Sequence, residues 1–283
     1  MINMKQFLLF FLLSLIAPLA GISQKPITYL SYNILEGLKS DSTLKADFVS
    51  WVKGIGPDIV AFQETNKFTQ KTLEEFAARY GHPYAILAKE PGYPVALTSR
   101  YPIVNVQKVL DNMWHGYIYA NVLDYHIFVL HLSPHNQEKR NREIAQIIAH
   151  AKLLPPNAKI IFSGDFNAVS ETDKAQYTDA LVRSMQERET KEAHIRNLKN
   201  GQIDYGVIDQ MKKAGYTDAF HKMNKAFKHS IPTKQYDSEF GRRIDFVFTS
   251  PNLAGKIVSA DIIHDRYTDY LSDHYPVVVR FLP

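Results

Sequence analysis

The stretch Ile160-Ile161-Phe162-Ser163-Gly164-Asp165-Phe166-Asn167 constrains this chain most, because an apolar run opens abruptly into a carboxylate and a carboxamide one residue apart. The run reads as a buried strand, and Gly164 lets the backbone turn just ahead of two polar side chains. Period-2 alternation puts Asp165 and Asn167 on the same side, an arrangement suited to gripping a phosphate, a metal ion or a water. A strand end whose Asp and Asn cap the following helix would carry the same pattern. What separates the two readings is company. Asn33, Gln63-Glu64, His131, Asp245 and Ser272-Asp273-His274 also stand at the ends of apolar runs.

At 283 residues and 45% hydrophobic content the chain can bury a large core, and no repeat, low-complexity tract or linker divides it. One domain over residues 24–283 is expected. The first segment reads differently: Lys5 supplies a positive n-region, and residues 7–20 are almost continuously apolar, the length of a signal h-region and short for a bilayer span. Residues 1–23 are therefore read as a signal peptide cleaved after Ser23, and the mature chain as secreted or periplasmic. The absence of Cys excludes a lipoprotein anchor, disulfides and thiol chemistry, leaving oxygen and imidazole as ligands for any metal. The formal charge of +4, lowered by one when Lys5 leaves with the signal, is a mild bias towards anionic partners.

Along the chain, strands are expected at 27–33, 58–63, 95–98, 103–109, 118–122, 125–130, 244–248, 257–263 and 277–281, besides the one from Ile160. Asp41 or Ser42 caps a helix carrying Leu44, Phe48, Trp51 and Val52, and a second runs through Leu73, Phe76 and Ala77. A third spans 138–154 with Ile144, Ile147, Ile148 and Ala151 on its apolar face, and a short one covers 207–214. The charged segment 170–200, with sparse apolar residues at Leu181, Met185, Ile195 and Leu198, is read as surface helices that overhang the site as a lid. Helices alternating with strands and antiparallel hairpins favour an α/β (α+β) fold of stacked mixed sheets with helices outside, not a parallel Rossmann sheet.

The motifs Ser31-Tyr32-Asn33, Gln63-Glu64-Thr65, Thr98 to Ile103, His131-Leu132, Gly164 to Asn167, Arg243 to Phe248 and Ser272 to Val277 come in an order and spacing that resemble the endonuclease/exonuclease/phosphatase superfamily. The resemblance spans essentially the whole mature chain. It implies a four-layer sandwich of two mixed β-sheets flanked by helices, with the active site at one end of the sheets. It also implies phosphodiester hydrolysis by in-line attack of water beside a divalent cation. By the resemblance Glu64 is the foremost metal ligand, completed by Asn33 and Asp273, and an oxygen-rich set of that kind suits Mg²⁺ or Mn²⁺, not zinc. Asp165 and Asn167 would hold the attacking water and a phosphoryl oxygen, with Asn33 and His274 also meeting the substrate. Asp245 would orient His274, raising its pKa, while His131 assists on the opposite side. The proton of the water goes to Asp165 or to His274, and both stay open. The chain departs from the family where Thr often precedes the His-Leu pair: Leu130 stands there, and a polar support for His131 is lost. His135 reads as a surface-turn histidine, and Arg100 and Arg243 as scaffold charges or phosphate contacts.

For the substrate, a nuclease acting on nucleic acid is the first reading. A sphingomyelinase-like phospholipid phosphodiesterase or an inositol-phosphate phosphatase is the alternative. A catalytically inactive binding module is disfavoured, because every matching position keeps a reactive side chain. Residues 211–234 carry six lysines against the single acid Asp218, interleaved with aromatics, and read either as a track for an anionic polymer or as a solvated face. A monomer without a stable protein partner is expected.

Overall fold

Tyr29 and Leu30 are neighbours in sequence and enter different cores. Successive side chains of a strand point to opposite faces, so a run that is apolar on both must lie between two packed layers. The rest of the architecture follows from that requirement. The computed structural model describes residues 25–236, 238 and 240–283, and the segment read as a signal peptide lies outside them.

The described strands are β1 (Ile27–Asn33), β2 (Ile59–Gln63), β3 (Tyr84–Leu87), β4 (Ala96–Ser99), β5 (Ile103–Val109), β6 (Tyr117–Val122), β7 (Tyr125–His131), β8 (Lys159–Asp165), β9 (Leu198–Lys199), β10 (Gln202–Ile203), β11 (Thr217–Asp218), β12 (Asp245–Thr249), β13 (Ile257–Ile262) and β14 (Val277–Phe281). Two six-stranded sheets have the orders β13-β14-β1-β2-β4-β3 and β11-β12-β8-β7-β6-β5, and β9 with β10 makes a separate hairpin. Both sheets are mixed. β1 runs parallel to β2 and β7 parallel to β8, whereas β14 and β12 pair antiparallel with β1 and β8.

Between the sheets, Ile59 and Leu97 of the first share a core with Ile127, Val129 and Ile161 of the second. Outside the first sheet, the helices Ser42–Ile55 and Gln70–Ala78 press Phe48, Val52 and Phe76 onto Leu30, Val60 and Phe62. Outside the second, Gln137–Ala151 and Gly206–Lys213 bring Ile144, Ile148 and Met211 onto Phe128, Phe162 and Phe248. The layers are helix, sheet, sheet, helix, the sandwich the resemblance implies. Phe128 and Phe162 stack at 4.8 Å, and burying a ring of this size contributes about 1.5–3 kcal/mol.

Asp41, not Ser42, caps the first helix, accepting from Thr43 N at 2.6 Å and Leu44 N at 3.1 Å. The helix expected to reach residue 154 ends at Ala151, because Pro155 and Pro156 disfavour helical geometry in the residues ahead of them. The lysine-rich stretch 211–234 starts in the core at Met211. Its Lys212 donates to Ser170 Oγ and its Lys228 to Asp261, so two of its charges are tied to the scaffold.

Candidate active site

Strand polarity gathers the site. β1, β2, β7 and β8 finish at one end of the sandwich, delivering Asn33, Glu64, His131 and Asp165, while the antiparallel β12 and β14 begin there, delivering Asp245 and His274. The register is direct in the second sheet, where Asp165 faces both Asp245 and His131 across adjacent ladders. All eight positions expected from sequence therefore lie at this one end, Asp245 in contact with His274.

Two glycines make the strand ends possible. Gly164 has φ +144°, and a Cβ there would overlap Leu130 O, so the approach of β8 to β7 excludes any side chain. After β1 the backbone from Leu35 to Ser40 takes positive φ throughout, a left-handed turn in which a Cβ on Gly37 would collide with Asn66 O. Non-glycine residues cost roughly 1–2 kcal/mol each in this conformation. The turn aims its amides at the site: Leu35 N donates to Asn33 Oδ1 at 3.2 Å and Glu36 N to Glu64 Oε2 at 3.1 Å. Glu64 and Asn167 are themselves left-handed, at φ +59° and +48°, the kind of strain that clusters where side chains must be aimed.

Asp165 Oδ2 is the centre of the cluster. Asn33 Nδ2 lies 3.2 Å from it and also 3.2 Å from Glu64 Oε1. His131 Nε2 lies 3.5 Å and His274 Nε2 3.7 Å away, too long for hydrogen bonds and close enough to share one bound atom. The other oxygen, Asp165 Oδ1, accepts from Asn167 N at 2.8 Å. Asn167 gives its amide hydrogen to Leu132 O at 3.0 Å, which leaves Oδ1 as its remaining polar atom, beside the cavity. His274 Nδ1 lies 2.8 Å from Asp245 Oδ2.

The two imidazoles are held in opposite states. Burial opposes charge on His274, yet Asp245, Asp273 and Asp165 together raise its pKa well above the ordinary value, so it carries a proton. Burial drives His131 the other way, well below its usual range, and the neighbouring His115 and His274 add to the effect. His131 is therefore neutral, and its contact with Asp165 is not an ion pair. Burial also pushes Asp165 up to about 7, partly offset by the His274 cation, and raises Glu64.

With Leu130 in place of a polar residue, His131 Nδ1 has no hydrogen-bond partner among the described residues. Stacking holds the ring instead: His115 lies parallel to it at 4.1 Å. His115, brought there by the turn between β5 and β6, escaped the sequence reading because nothing in its neighbours marks it. Glu143, fully buried on Gln137–Ala151, fastens that turn by accepting from Trp114 N at 2.5 Å and also accepts from Ser133 N at 2.8 Å.

Ser230 was equally invisible. Its hydroxyl accepts from Ile244 N and Asp245 N, and its carbonyl accepts from Tyr275 N at 2.7 Å, so one residue braces both halves of the Asp245–His274 pair. Ser272 Oγ donates to Asn33 O at 2.7 Å, tying the Ser-Asp-His turn to β1. The arginines resolve as scaffold. Arg243, 1% exposed, pairs with Asp173 at 2.7 Å and Asp218 at 2.6 Å, its guanidinium over Phe246. Arg100 donates to Pro57 O away from the cavity.

The donor set suits a hard divalent cation: oxygen atoms dominate, and burial raises the pKa of both Glu64 and Asp165, a cost to their charge that a cation beside them would offset. Asp165, Asp245 and His274 each present a ligand atom within 4.8 Å of the others. Since Asp245 and His274 bond to each other, Glu64 and Asp165 are the carboxylates open to a metal. Asn33 turns its nitrogen, not its oxygen, towards both, so it ligates only if the amide swings round. Asp273 stands at the rim, 4.0 Å from His274 Nε2.

A cavity of about 480 Å³ opens in front of this cluster. The charged segment forms one wall: Leu181, Met185 and Arg188 face inward from successive turns of the helix Asp179–Lys191. The segment is tied to the loop after β7, where Arg196 N donates to His135 O and Gln137 N to Arg196 O. Asn197 adds bonds to Pro134 O and from Arg140. His135, expected on a surface turn, lines the cavity between Trp114 and His194. None of the lysines of 211–234 reaches it.

Solved structures share this fold. An AP endonuclease from Archaeoglobus fulgidus superposes with a TM-score of 0.71 at 18% identity, covering 90% of this chain and 99% of that one. The 3′ phosphatase NExo from Neisseria, bound to a product DNA hairpin, gives 0.64 at 17%, with coverage of 90% and 99%. An endonuclease/exonuclease/phosphatase from Beutenbergia cavernae gives 0.63 at 15%, with 92% and 72%. No curated protein sequence matches. The family model described as Endonuclease/Exonuclease/phosphatase matches residues 30–274, from within β1 to the histidine of the Ser-Asp-His turn, and the chain belongs to that family of phosphoester hydrolases.

Proposed function

We propose that this protein is a metal-assisted phosphoesterase that cleaves the phosphodiester bonds of a nucleic-acid substrate by in-line attack of water. The observation carrying the reading is the position of Asp165 Oδ2 among Asn33, His131 and His274, within 3.7 Å of a nitrogen of each. A water seated there has one acceptor for its proton and donors around it. Asp165 takes the proton and Asn167 Oδ1 fixes the water. His274, already protonated and steered by Asp245, faces the phosphoryl or departing oxygen as a cation. Neutral His131 donates from the opposite side. Glu64, with Asp273 and, once its amide swings round, Asn33, would hold Mg²⁺ or Mn²⁺, which when bound neutralises charge on the phosphate.

The nucleic-acid part is supported by the solved relatives, an AP endonuclease and a phosphatase carrying product DNA. The apolar segment 7–20 supports action after export.

The test incubates protein lacking residues 1–23 with Mg²⁺, Mn²⁺ or EDTA against plasmid DNA, RNA, sphingomyelin, inositol phosphates and an aryl phosphodiester. Metal-dependent breakdown of nucleic acid is the expected result. Release of phosphocholine alone would assign a lipid substrate instead. Silence on every substrate, with no metal binding by calorimetry, would overturn the enzyme reading.

A further inference from the structure

Three arginines line the cavity, and the catalytic scheme uses none of them. Arg242 is half-buried, and its guanidinium has no carboxylate or hydrogen-bond partner among the described residues. Arg140 is 4% exposed, bonded through Nη1 to Ser133 O and Asn197 Oδ1, while its buried Nε has no partner among the described residues. Arg188 comes from the inserted helix, bonded through Nε to Glu192 at 3.0 Å, with its terminal nitrogens beyond that pair. Arg242 disfavours the charge on Arg140, and Arg188 that on Arg242, a repulsion that Asp204, Asp165 and Glu143 offset in part at Arg140. An anion on that wall relieves the repulsion and takes up the open donors of Arg188 and Arg242, in the forked geometry a guanidinium offers a phosphate.

Beside the arginines, across His135, the lip is aromatic. Trp114 is 49% and Tyr93 40% exposed at the mouth, and both flank His115. A flat group stacks on such rings whatever its substituents. The helix Asp179–Lys191 closes the groove on the arginine side, so the space of about 480 Å³ is a pocket of ligand size and not a channel for a duplex.

We propose that Arg140, Arg188 and Arg242 form a second anion site, so that the preferred substrate is a nucleotide ester with two phosphates, one at the Asp165–His274 cluster and one on the arginines, its base on Trp114. The inference rests on the phosphoesterase reading and narrows it. A free dinucleotide and the exposed end of a single strand offer the same chemistry; the interior of a duplex does not.

The test has a kinetic and a binding arm. Wild type, Arg188→Gln, Arg242→Gln and the double variant are assayed on a dinucleotide with and without a terminal phosphate. The ratio of kcat/KM between the two should favour the phosphorylated form at least about tenfold in wild type and fall at least about tenfold in the double variant, mainly through KM. An unmoved ratio overturns the proposal, as does faster cleavage inside plasmid duplex than at the ends of single strands. Relative rates on free dinucleotide and on longer single strands separate the two sources. In the binding arm, adenosine 3′,5′-bisphosphate and adenosine 5′-monophosphate are titrated calorimetrically in EDTA. The bisphosphate should bind at least about tenfold tighter, and the gap should close in the double variant. Equal affinities in wild type overturn the second site even if no substrate is turned over, so failure of the catalytic reading stays distinguishable. Arg188 is exposed, so its variant should fold, and melting curves check the double variant.

Discussion

His274 Nδ1 and Asp245 Oδ2 meet at 2.8 Å across the gap between the two sheets, Asp245 opening β12 in one and His274 leading into β14 in the other. The bond is thus both a seam of the sandwich and the source of charge on the imidazole.

Replacing Asp245 by Asn keeps the shape and removes that charge. With one raising carboxylate gone, the pKa of His274 falls, so the protonated form is lost at lower pH than before. Turnover should drop about 10²–10⁴-fold, and the alkaline limb of the kcat profile should move to lower pH. A limb that stays in place would exclude His274 as the cation.

Glu64→Ala, Asp165→Ala and His274→Ala each remove one member of the cluster around Asp165 Oδ2. Each should lower turnover by at least about two to three orders of magnitude, with circular dichroism unchanged. Near wild-type rates for any two would refute the assignment.

Arg243 is a scaffold charge, and its loss should show in stability. Arg243→Met leaves Asp173 and Asp218 buried without their cation, at a cost of about 3–5 kcal/mol, and should lower Tm on the order of 10 °C. A phosphate contact would behave oppositely, raising KM with Tm unmoved.

His82 should make the fold acid-sensitive. Burial holds its pKa at about 4, below the ordinary 6.5, and both ring nitrogens are bonded, to Thr98 Oγ1 and Pro57 O. The unfolded chain binds the proton first as pH falls. The stabilisation is therefore complete above about pH 6.5 and lost towards pH 4, on the order of 3 kcal/mol. Urea midpoints at pH 7 and pH 4.5 measure it. The difference should shrink in His82→Gln.

The strand ends are legible in this sequence because burial on both faces writes continuous apolar runs, and a polar residue closing such a run has little to do but serve the end of a sheet. Asn33, Glu64, His131, Asp165, Asp245 and His274 all announce themselves that way. Contacts between distant loops leave no such trace. Ser230 looks like any turn serine, yet three backbone groups hang on it. Trp114 and His115 sit in a polar turn with no periodicity, and Leu181 and Met185 look like stray apolar residues until their wall is assembled. Arg242 and Arg243 are adjacent and alike in type, and only the alternation at the start of β12, which turns one inward to Asp218 and the other to the cavity, gives them different work.

The bonds joining Arg196 to His135 and Gln137 mean that the inserted arm is ordered before anything binds. An arm held in this way has less conformational entropy to lose on docking than a free loop of the same length.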